Sequence, residues 1–514
     1  MSSNSALAPI MIGRIEQLQE LEQLLDAARR GVGRIVFLTG KAGVGKTRLV
    51  REFLNRVGSQ EPIQILTGYC YAESPAVPYG PFIDALRTFL RTEGAEVIKQ
   101  VTGPWISDMA KLLPELEVRL PEMITSYEPQ LEKQRLFEAI YQAIRPHDAR
   151  NCRIVVLEDL HWSDQTSQEM IHHLARTIER DRMLILVTYR TDDLDHRHPL
   201  THLIAQLTRE RLHHEVRLSP LTQQEVADML DVTLQRPMAS GFVHALYSHT
   251  EGNPFFVEEI LKVLIEHAHL DDLIEATHSG KSIAQLEIPT SIKESILSRT
   301  VDLDDRTADV LKYAAVIGRH FDFELLLRLT GLPETELLRS IKRLIDRQLV
   351  IEERNVPEDR YSFRHALTRE AIYDDCLRRE RRIKHREVLQ ALKETHQANL
   401  EDVVDQLAYH SLQAREMKQA ASYALLAGDK AMRMHAYREA VAQYEVALEA
   451  VDTDDVRAQA EILDKLGAAS YPLGNYNLPA RYWQEAQRFY QQLDDRGKVG
   501  DLHRWLGRGA FEQH

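Results

Sequence analysis

Apolar positions along the chain follow two rhythms. Near-continuous apolar runs of strand length stand at Ile35-Val36-Phe37-Leu38, Arg153–Leu157 and Leu184–Tyr189, with weaker ones at Ile63–Thr67 and Glu215–Leu218. Unbroken runs of this length predict parallel strands buried on both faces. Between them the apolar residues recur at helical spacing, as in Arg48-Leu49-Val50-Arg51-Glu52-Phe53-Leu54. Strands alternating with helices predict a five-stranded right-handed α/β sandwich over 1–220. The stretch from Tyr69 to Arg150, punctuated by prolines, reads as an insertion or lid region without recognisable chemistry.

Beyond Pro220 the helical rhythm takes over. Thr222-Gln223-Gln224-Glu225 is a capping box, and helices over Gly241–Tyr247 and Pro254–His267 complete a small helical lid, 221–285. Residues 286–400 predict helices at Ile292–Thr300, Arg306–Val316, Phe323–Leu329 and Glu334–Gln348. A hairpin then pairs Leu349–Glu352 with Tyr361–Arg364 across Asn355-Val356-Pro357, a winged-helix pattern. Such modules read DNA grooves when the recognition helix is basic, and Lys342-Arg343 makes this one modestly so; packing within the chain is the better reading.

From 401 onward Ala436-Tyr437-Arg438-Glu439-Ala440 aligns with Tyr476-Asn477-Leu478-Pro479-Ala480, a period of roughly forty residues. Hairpins Ala421–Met434/Tyr437–Val451 and Val456–Tyr471/Leu478–Leu493 are expected, with a third opening at Lys498. The pattern is that of TPR-like repeats, apparently incomplete at His514, and we expect the native polypeptide to continue.

Composition is that of ordinary soluble protein, with 44% hydrophobic and 28% charged residues among 514. Three scattered cysteines give neither a disulfide framework nor a zinc spacing. The N-terminus lacks a signal-peptide pattern, and no apolar run approaches the ~18 residues of a membrane span; a cytoplasmic location is expected. With 78 acidic against 64 basic residues, the net charge of −14 works against nonspecific nucleic-acid binding. The basic run Arg378–Arg386, flanked by acids, reads as a solvated helix face, and the histidines 196, 198, 202, 213 and 214 form no convincing ligand quartet.

The chemistry concentrates in Gly40-Lys41-Ala42-Gly43-Val44-Gly45-Lys46-Thr47, which fits G-x-x-x-x-G-K-[ST] between a strand and a helix. Glycines let the backbone turn its N–H groups onto phosphate oxygens, aided by the helix dipole. Lys46 would reach the β- and γ-phosphates, and Thr47 would ligate Mg²⁺. Gly40, Ala42, Gly43, Val44, Gly45, Lys46, Thr47 and Arg48 form the expected cradle for ATP or ADP. Leu157-Glu158-Asp159 ends an apolar strand in two carboxylates. Because adjacent strand residues face opposite ways, they divide the work: Glu158 toward the metal, Asp159 toward the attacking water. Arg190 closes another strand, where it either senses the γ-phosphate or pairs with Asp192 or Asp193. Glu251-Gly252-Asn253-Pro254 either packs on a nucleotide base or simply starts a helix. Trp162 reads as a packing residue.

The ordered series Met11-Ile12-Gly13-Arg14, the P-loop, Leu157–Asp164, Thr188-Tyr189-Arg190, Gly252-Asn253-Pro254-Phe255 and Phe363-Arg364-His365-Ala366-Leu367 with Arg369-Glu370-Ala371 resembles the STAND class of signal-transduction P-loop ATPases. Within it the chain is similar to maltose-activator-like LuxR-family regulators with an ORC-like AAA ATPase domain. The resemblance implies that Gly13 and Arg14 approach the nucleotide, that Pro254 packs near adenine, and that His365 contacts the ADP β-phosphate. It further implies a switch in which ADP holds a closed monomer, while ATP and an inducer or protein ligand at the repeats favour self-association. DNA would be reached only through a module absent from this chain. Two alternatives stand beside this reading: a replication-initiator-like ATPase that binds DNA through its winged helix, and a repeat scaffold with a degenerate nucleotide site.

Overall fold

The computed structural model describes residues 10–58, 63–72, 77–116, 129–148, 151–266, 291–353, 359–397 and 399–512. Strands Arg34–Gly40 (β1), Ile63–Tyr69 (β2), Cys152–Glu158 (β3), Met183–Arg190 (β4) and His213–Arg217 (β5) form one parallel sheet in the order β2-β3-β4-β1-β5. All five expected strands are present. Alternate residues of β1 supply the cores of the two faces. Val36 and Leu38 pack with Leu18, Leu21, Leu49 and Phe53 from the helices Ile15–Arg29 (α1) and Lys46–Val57 (α2). Ile35 and Phe37 face the other layer. Every residue of β3 and β4 is buried, which is why their sequences are so continuously apolar.

That second layer corrects the expectation of a lid between Tyr69 and Arg150. Helices Gly80–Glu93 (α3), Ala95–Thr102 (α4), Ile106–Leu112 (α5) and Pro129–Ile144 (α6) lie there, with Gln165–Thr177 (α7) and Pro199–Glu210 (α8) following β3 and β4. Phe82, Leu86, Met109 and Ile140 join Val155 and Ile185 in the largest core. The region is therefore a structural face of the sheet. Its prolines hid the helical period by breaking it into short pieces.

Gln223–Leu234 (α9), Ser240–Thr250 (α10) and Pro254–Glu266 (α11) form the helical lid around Val226, Leu230, Phe242 and Ile260, with the Thr222–Glu225 capping box in place. The rest of the expected lid, 267–285, lies outside the described residues.

The next module holds helices Ile292–Ser298, Asp305–Ile317, Phe323–Thr330 and Glu334–Asp346. Its antiparallel sheet comprises His320–Asp322 (β6), Val350–Glu352 (β7) and Arg360–Phe363 (β8), in the order β6-β8-β7. The helices and hairpin match expectation, the tip carrying Asn355–Pro357 lying outside the described residues. Strand β6, only three residues long, gave no periodic signal.

Helices Ala366–Asp375 and Arg378–Thr395 lead into the repeats. The basic run on the second of these is consumed locally: Arg381 pairs with Asp374, Arg386 with Glu416, and Lys384 with Asp309, its ammonium 3.5 Å from the Tyr313 ring centre.

Helices Val404–Ala414, Met417–Arg433, Tyr437–Ala450, Val456–Ser470, Asn477–Gln492 and Arg496–Glu512 stack in antiparallel succession. Gly428 faces Tyr444 and Gly467 faces Trp483 at equivalent repeat positions. A Cβ on either glycine would lie 2.3 Å and 2.2 Å from the respective ring. Small-against-aromatic packing thus sets the approach of paired helices. The array is not free of the ATPase core: Glu439 accepts from the Thr166 N–H (2.9 Å) and hydroxyl (2.7 Å), fully buried at the start of α7. Among the described residues, no helix is long and apolar enough to cross a membrane.

Candidate functional site

The loop between β1 and α2 takes three residues into positive φ, Gly40 at 150°, Gly43 at 76° and Gly45 at 102°. Side chains are excluded there for different reasons. A Cβ on Gly43 would lie 2.8 Å from Asn253 Oδ1, whereas one on Gly45 would meet nothing within 4 Å. Gly45 therefore marks the open face of the cradle. Lys46 folds back to donate to the carbonyls of Gly40 (2.7 Å) and Lys41 (2.9 Å). Burial pushes its ammonium down to about 8, against the pull of Asp159. The Ala42 N–H donates to both oxygens of Asp192, at 3.2 Å each.

Glu158 and Asp159 diverge, though not by strand alternation: β3 ends at Glu158 and the chain turns at Asp159. The Thr47 hydroxyl donates to Glu158 Oε2 at 2.7 Å, bringing together the two groups expected at Mg²⁺. Asp159 turns into the left-handed region (φ 59°), where its N–H donates to the Thr188 hydroxyl at 2.9 Å. Its carboxylate forms an ion pair with Arg319, which precedes β6. Burial works to raise the Asp159 carboxyl, but Arg319, His161, Arg190 and Lys46 together hold it below the usual carboxylate range.

Arg190 ends β4 directly beside Gly40 in register. Its guanidinium lies 4.9 Å from the Trp162 ring centre and pairs with Asp193 (3.5 Å) and with Glu370 (3.0 Å) of the helix Ala366–Asp375. Of the two aspartates considered from sequence, Asp193 is the partner; Asp192 serves the loop. Trp162 packs on Arg190, as its packing role required.

The N-terminal segment braces the cradle from outside. Arg14 donates to the carbonyls of Ser219 (2.7 Å) and Val44 (3.3 Å). Gly13, at φ 69°, leaves a Cβ no room beside Glu225 of the lid. Arg48 pairs with Glu258 at 3.4 Å and donates to the Ile10 carbonyl. Pro254 opens α11, and the preceding Asn253 latches the lid to the loop by donating to the Ala42 carbonyl at 3.0 Å. His365 stands just ahead of the helix Ala366–Asp375 with its ring 4.4 Å from that of Phe255. It is kept neutral by burial, then by Lys262, Arg364, Arg51 and Arg299, and among the described residues its Nε2 has no hydrogen-bond partner. Phe255 itself lies 3.0 Å from where a Gly43 Cβ would be. Phe255 thus stands between His365 and Gly43.

The donor set thus fits the phosphates of a nucleotide with Mg²⁺: loop N–H groups and Lys46 for phosphates, Thr47 and Glu158 for the metal. Sequence reasoning assigned no role to Asn253, Arg319, Glu370 or Glu439. Asn253 and Glu370 lie inside motifs already singled out; Arg319 follows a helix end at Gly318 with nothing to mark it. The histidines go separate ways, His198 to the His161 carbonyl, His213 against Phe37 and His214 to Glu20.

Comparison with known proteins adds four findings. An uncharacterized protein of Rhizobium meliloti (strain 1021) is 23% identical over 461 residues, covering 85% of this chain and 42% of that protein; the chain spans less than half the length of this curated relative. A signal-transduction ATPase with numerous domains from Pyrococcus horikoshii, which has a tetratricopeptide repeat sensor, aligns over 100% of this chain and 82% of its own at 13% identity and a TM-score of 0.40. The ORC1 protein of Aeropyrum pernix, solved in complex with DNA, aligns over 73% of this chain and 95% of its own at 16% identity and a TM-score of 0.34. Residues 11–187 match the family described as AAA ATPase domain. That match, with the cradle it contains, identifies a P-loop AAA ATPase domain in this part of the chain.

Proposed function

We propose that the chain is a signal-transduction switch that binds ATP or ADP with Mg²⁺, hydrolyses ATP slowly, and changes its assembly state with the nucleotide. The observation that carries the reading is the joint occupation of one site by three parts of the chain. The Thr47–Glu158 hydrogen bond sits at its foot, Asn253 closes it from the lid, and Arg319 and Glu370 enter from the module beyond. A site that only hydrolysed nucleotide would have no need of the last two.

In this reading the loop N–H groups and Lys46 would hold the phosphates, and Thr47 and Glu158 would hold a Mg²⁺ ion that would supply charge neutralisation. Asp159 orients water and accepts its proton once Arg319 withdraws. Arg190 stabilises the terminal phosphate. His365 donates to the diphosphate of the closed state, so the helix it precedes moves with the nucleotide. Because Glu439 also binds the start of α7, a protein ligand or inducer on the repeats would act on the same ATPase core. Transcriptional regulation in the cytoplasm, with self-association in the ATP state and DNA contact through a module beyond this chain, is the output we assign.

The test is equilibrium binding of ADP and a nonhydrolysable ATP analogue, with phosphate release, for wild type, Lys46→Ala and Glu158→Gln. Lys46→Ala should weaken binding of both nucleotides at least about tenfold, and Glu158→Gln should bind yet release little phosphate. Equal binding by wild type and Lys46→Ala would favour a scaffold with a degenerate site.

A further inference from the structure

Two charged groups at the phosphate site are held by residues of opposite sign from a single neighbouring module. Arg190 is taken by Glu370 at 3.0 Å, closer than its own core partner Asp193 at 3.5 Å, and Asp159 is taken by Arg319. The Arg319–Asp159 pair is nearly buried on both sides, 11% and 9% exposed, so solvent screens it little; in the other pair Arg190 is 8% exposed and Glu370 36%, which leaves Glu370 the member that can be displaced. Both groups also lie within electrostatic reach of Lys46, the residue that grips phosphate in the cradle.

We propose that Glu370 is a specificity-determining residue: it makes the docked arrangement select a diphosphate over a triphosphate by occupying the arginine that a terminal phosphate needs. The inference rests on the nucleotide reading above and deepens it. A diphosphate brings no group that contests Arg190. A triphosphate does, and it brings negative charge toward the Glu370 carboxylate, so one anion must leave. Arg319 acts on the chemistry rather than on the choice of nucleotide, because an Asp159 carboxylate held in an ion pair cannot accept the proton of an attacking water.

The same geometry converts the choice into movement. Glu370 sits on the helix Ala366–Asp375, directly preceded by His365. Eviction of Glu370 therefore acts on the element that places His365 behind the cradle. A ligand shifts a conformational equilibrium only by its differential affinity for the two states, and competition for Arg190 supplies that difference.

The experiment uses the full chain. A fluorescent ADP derivative is displaced by ADP and by a nonhydrolysable ATP analogue, both with Mg²⁺, from wild type, Glu370→Gln and Glu370→Ala. Nucleotide-induced shifts of the melting midpoint serve as an independent readout and confirm folding. Wild type should prefer ADP. In both variants the ratio of triphosphate to diphosphate dissociation constants should fall about tenfold, chiefly through tighter triphosphate binding. A ratio unchanged in both variants, or equal tightening of both nucleotides, overturns the proposal and leaves the nucleotide site intact. Failure of wild type to bind either nucleotide overturns the site reading and this proposal together.

Discussion

The guanidinium of Arg319 forms an ion pair with the carboxylate of Asp159 although the two belong to different modules of the chain. Burial disfavours the charge of each, and on Arg319 the attraction of Asp159 and then Glu158 outweighs that cost. Removing one member strands the other. Arg319→Ser should therefore weaken docking of the module by about 3 kcal/mol. It should also raise the basal rate of phosphate release. The check is amide exchange of β6 and β8 alongside phosphate release; unchanged protection in those strands would contradict the docking role.

Glu439 of the repeats, held by the Thr166 N–H and hydroxyl, lies close enough to Asp164 to act on its charge, and this gives the contact a pH signature. Burial and the neighbouring Glu439 carboxylate push Asp164 up to about 7, although Ser167 and the Tyr79 N–H donate to it. A carboxyl whose pKa is higher in the docked state binds a proton that the separated state releases. Its stabilising contribution is full below the ordinary Asp pKa and is lost as pH rises through about 7. Histidines that are held neutral by burial and freed on unfolding add a pH dependence in part of the same range, so the difference from a variant is the informative quantity. Wild type minus Glu439→Gln, measured as melting midpoint, should decline between pH 5 and 8; a flat difference would remove Asp164 from the account.

Lys46 predicts a pH dependence of binding. Its ammonium, at about 8 without phosphate, must be protonated to hold an anion, and phosphate contact raises its pKa. Nucleotide affinity should be level below pH 8 and fall above it, by up to about tenfold per pH unit. Lys46→Arg, whose charge persists, should lose that decline whatever its absolute affinity. Isothermal titration across pH 7 to 9.5 measures it.

The repeats offer a packing test. A side chain at Gly467 would collide with the Trp483 indole, while one at Gly500 would meet nothing within 4 Å. Gly467→Val should cost about 2 to 3 kcal/mol, whereas Gly500→Ala in its helix should be neutral or gain up to about 1 kcal/mol. Denaturant unfolding followed by tryptophan emission separates the two.

Much of this was legible in the chain itself. The unbroken apolar runs of β1, β3 and β4 announced buried parallel strands, and the glycines at 40, 43 and 45 announced a loop needing positive φ. Divergence of Glu158 and Asp159 was expected from strand alternation, but it arises from the left-handed turn at Asp159, just past the end of β3. Other features were hidden for physical reasons. Strand β6 is too short for a period, and the layer between Tyr69 and Arg150 is too broken by prolines to show one. Arg319, Glu370 and Glu439 act through tertiary contacts with residues far away in sequence, and such pairings leave no local pattern.

The most direct test is Förster transfer within the full chain between dyes on cysteines placed at Gln19 of α1 and Thr335 of the module, both exposed. The native cysteines 70, 152 and 376 are buried, which favours labelling at the introduced sites. Transfer should be high with ADP and Mg²⁺ and drop with a nonhydrolysable ATP analogue; Lys46→Ala, deprived of nucleotide grip, should not respond. Identical transfer with both nucleotides, under conditions where both are bound, would contradict the claim that the terminal phosphate decides how the module sits on the ATPase core.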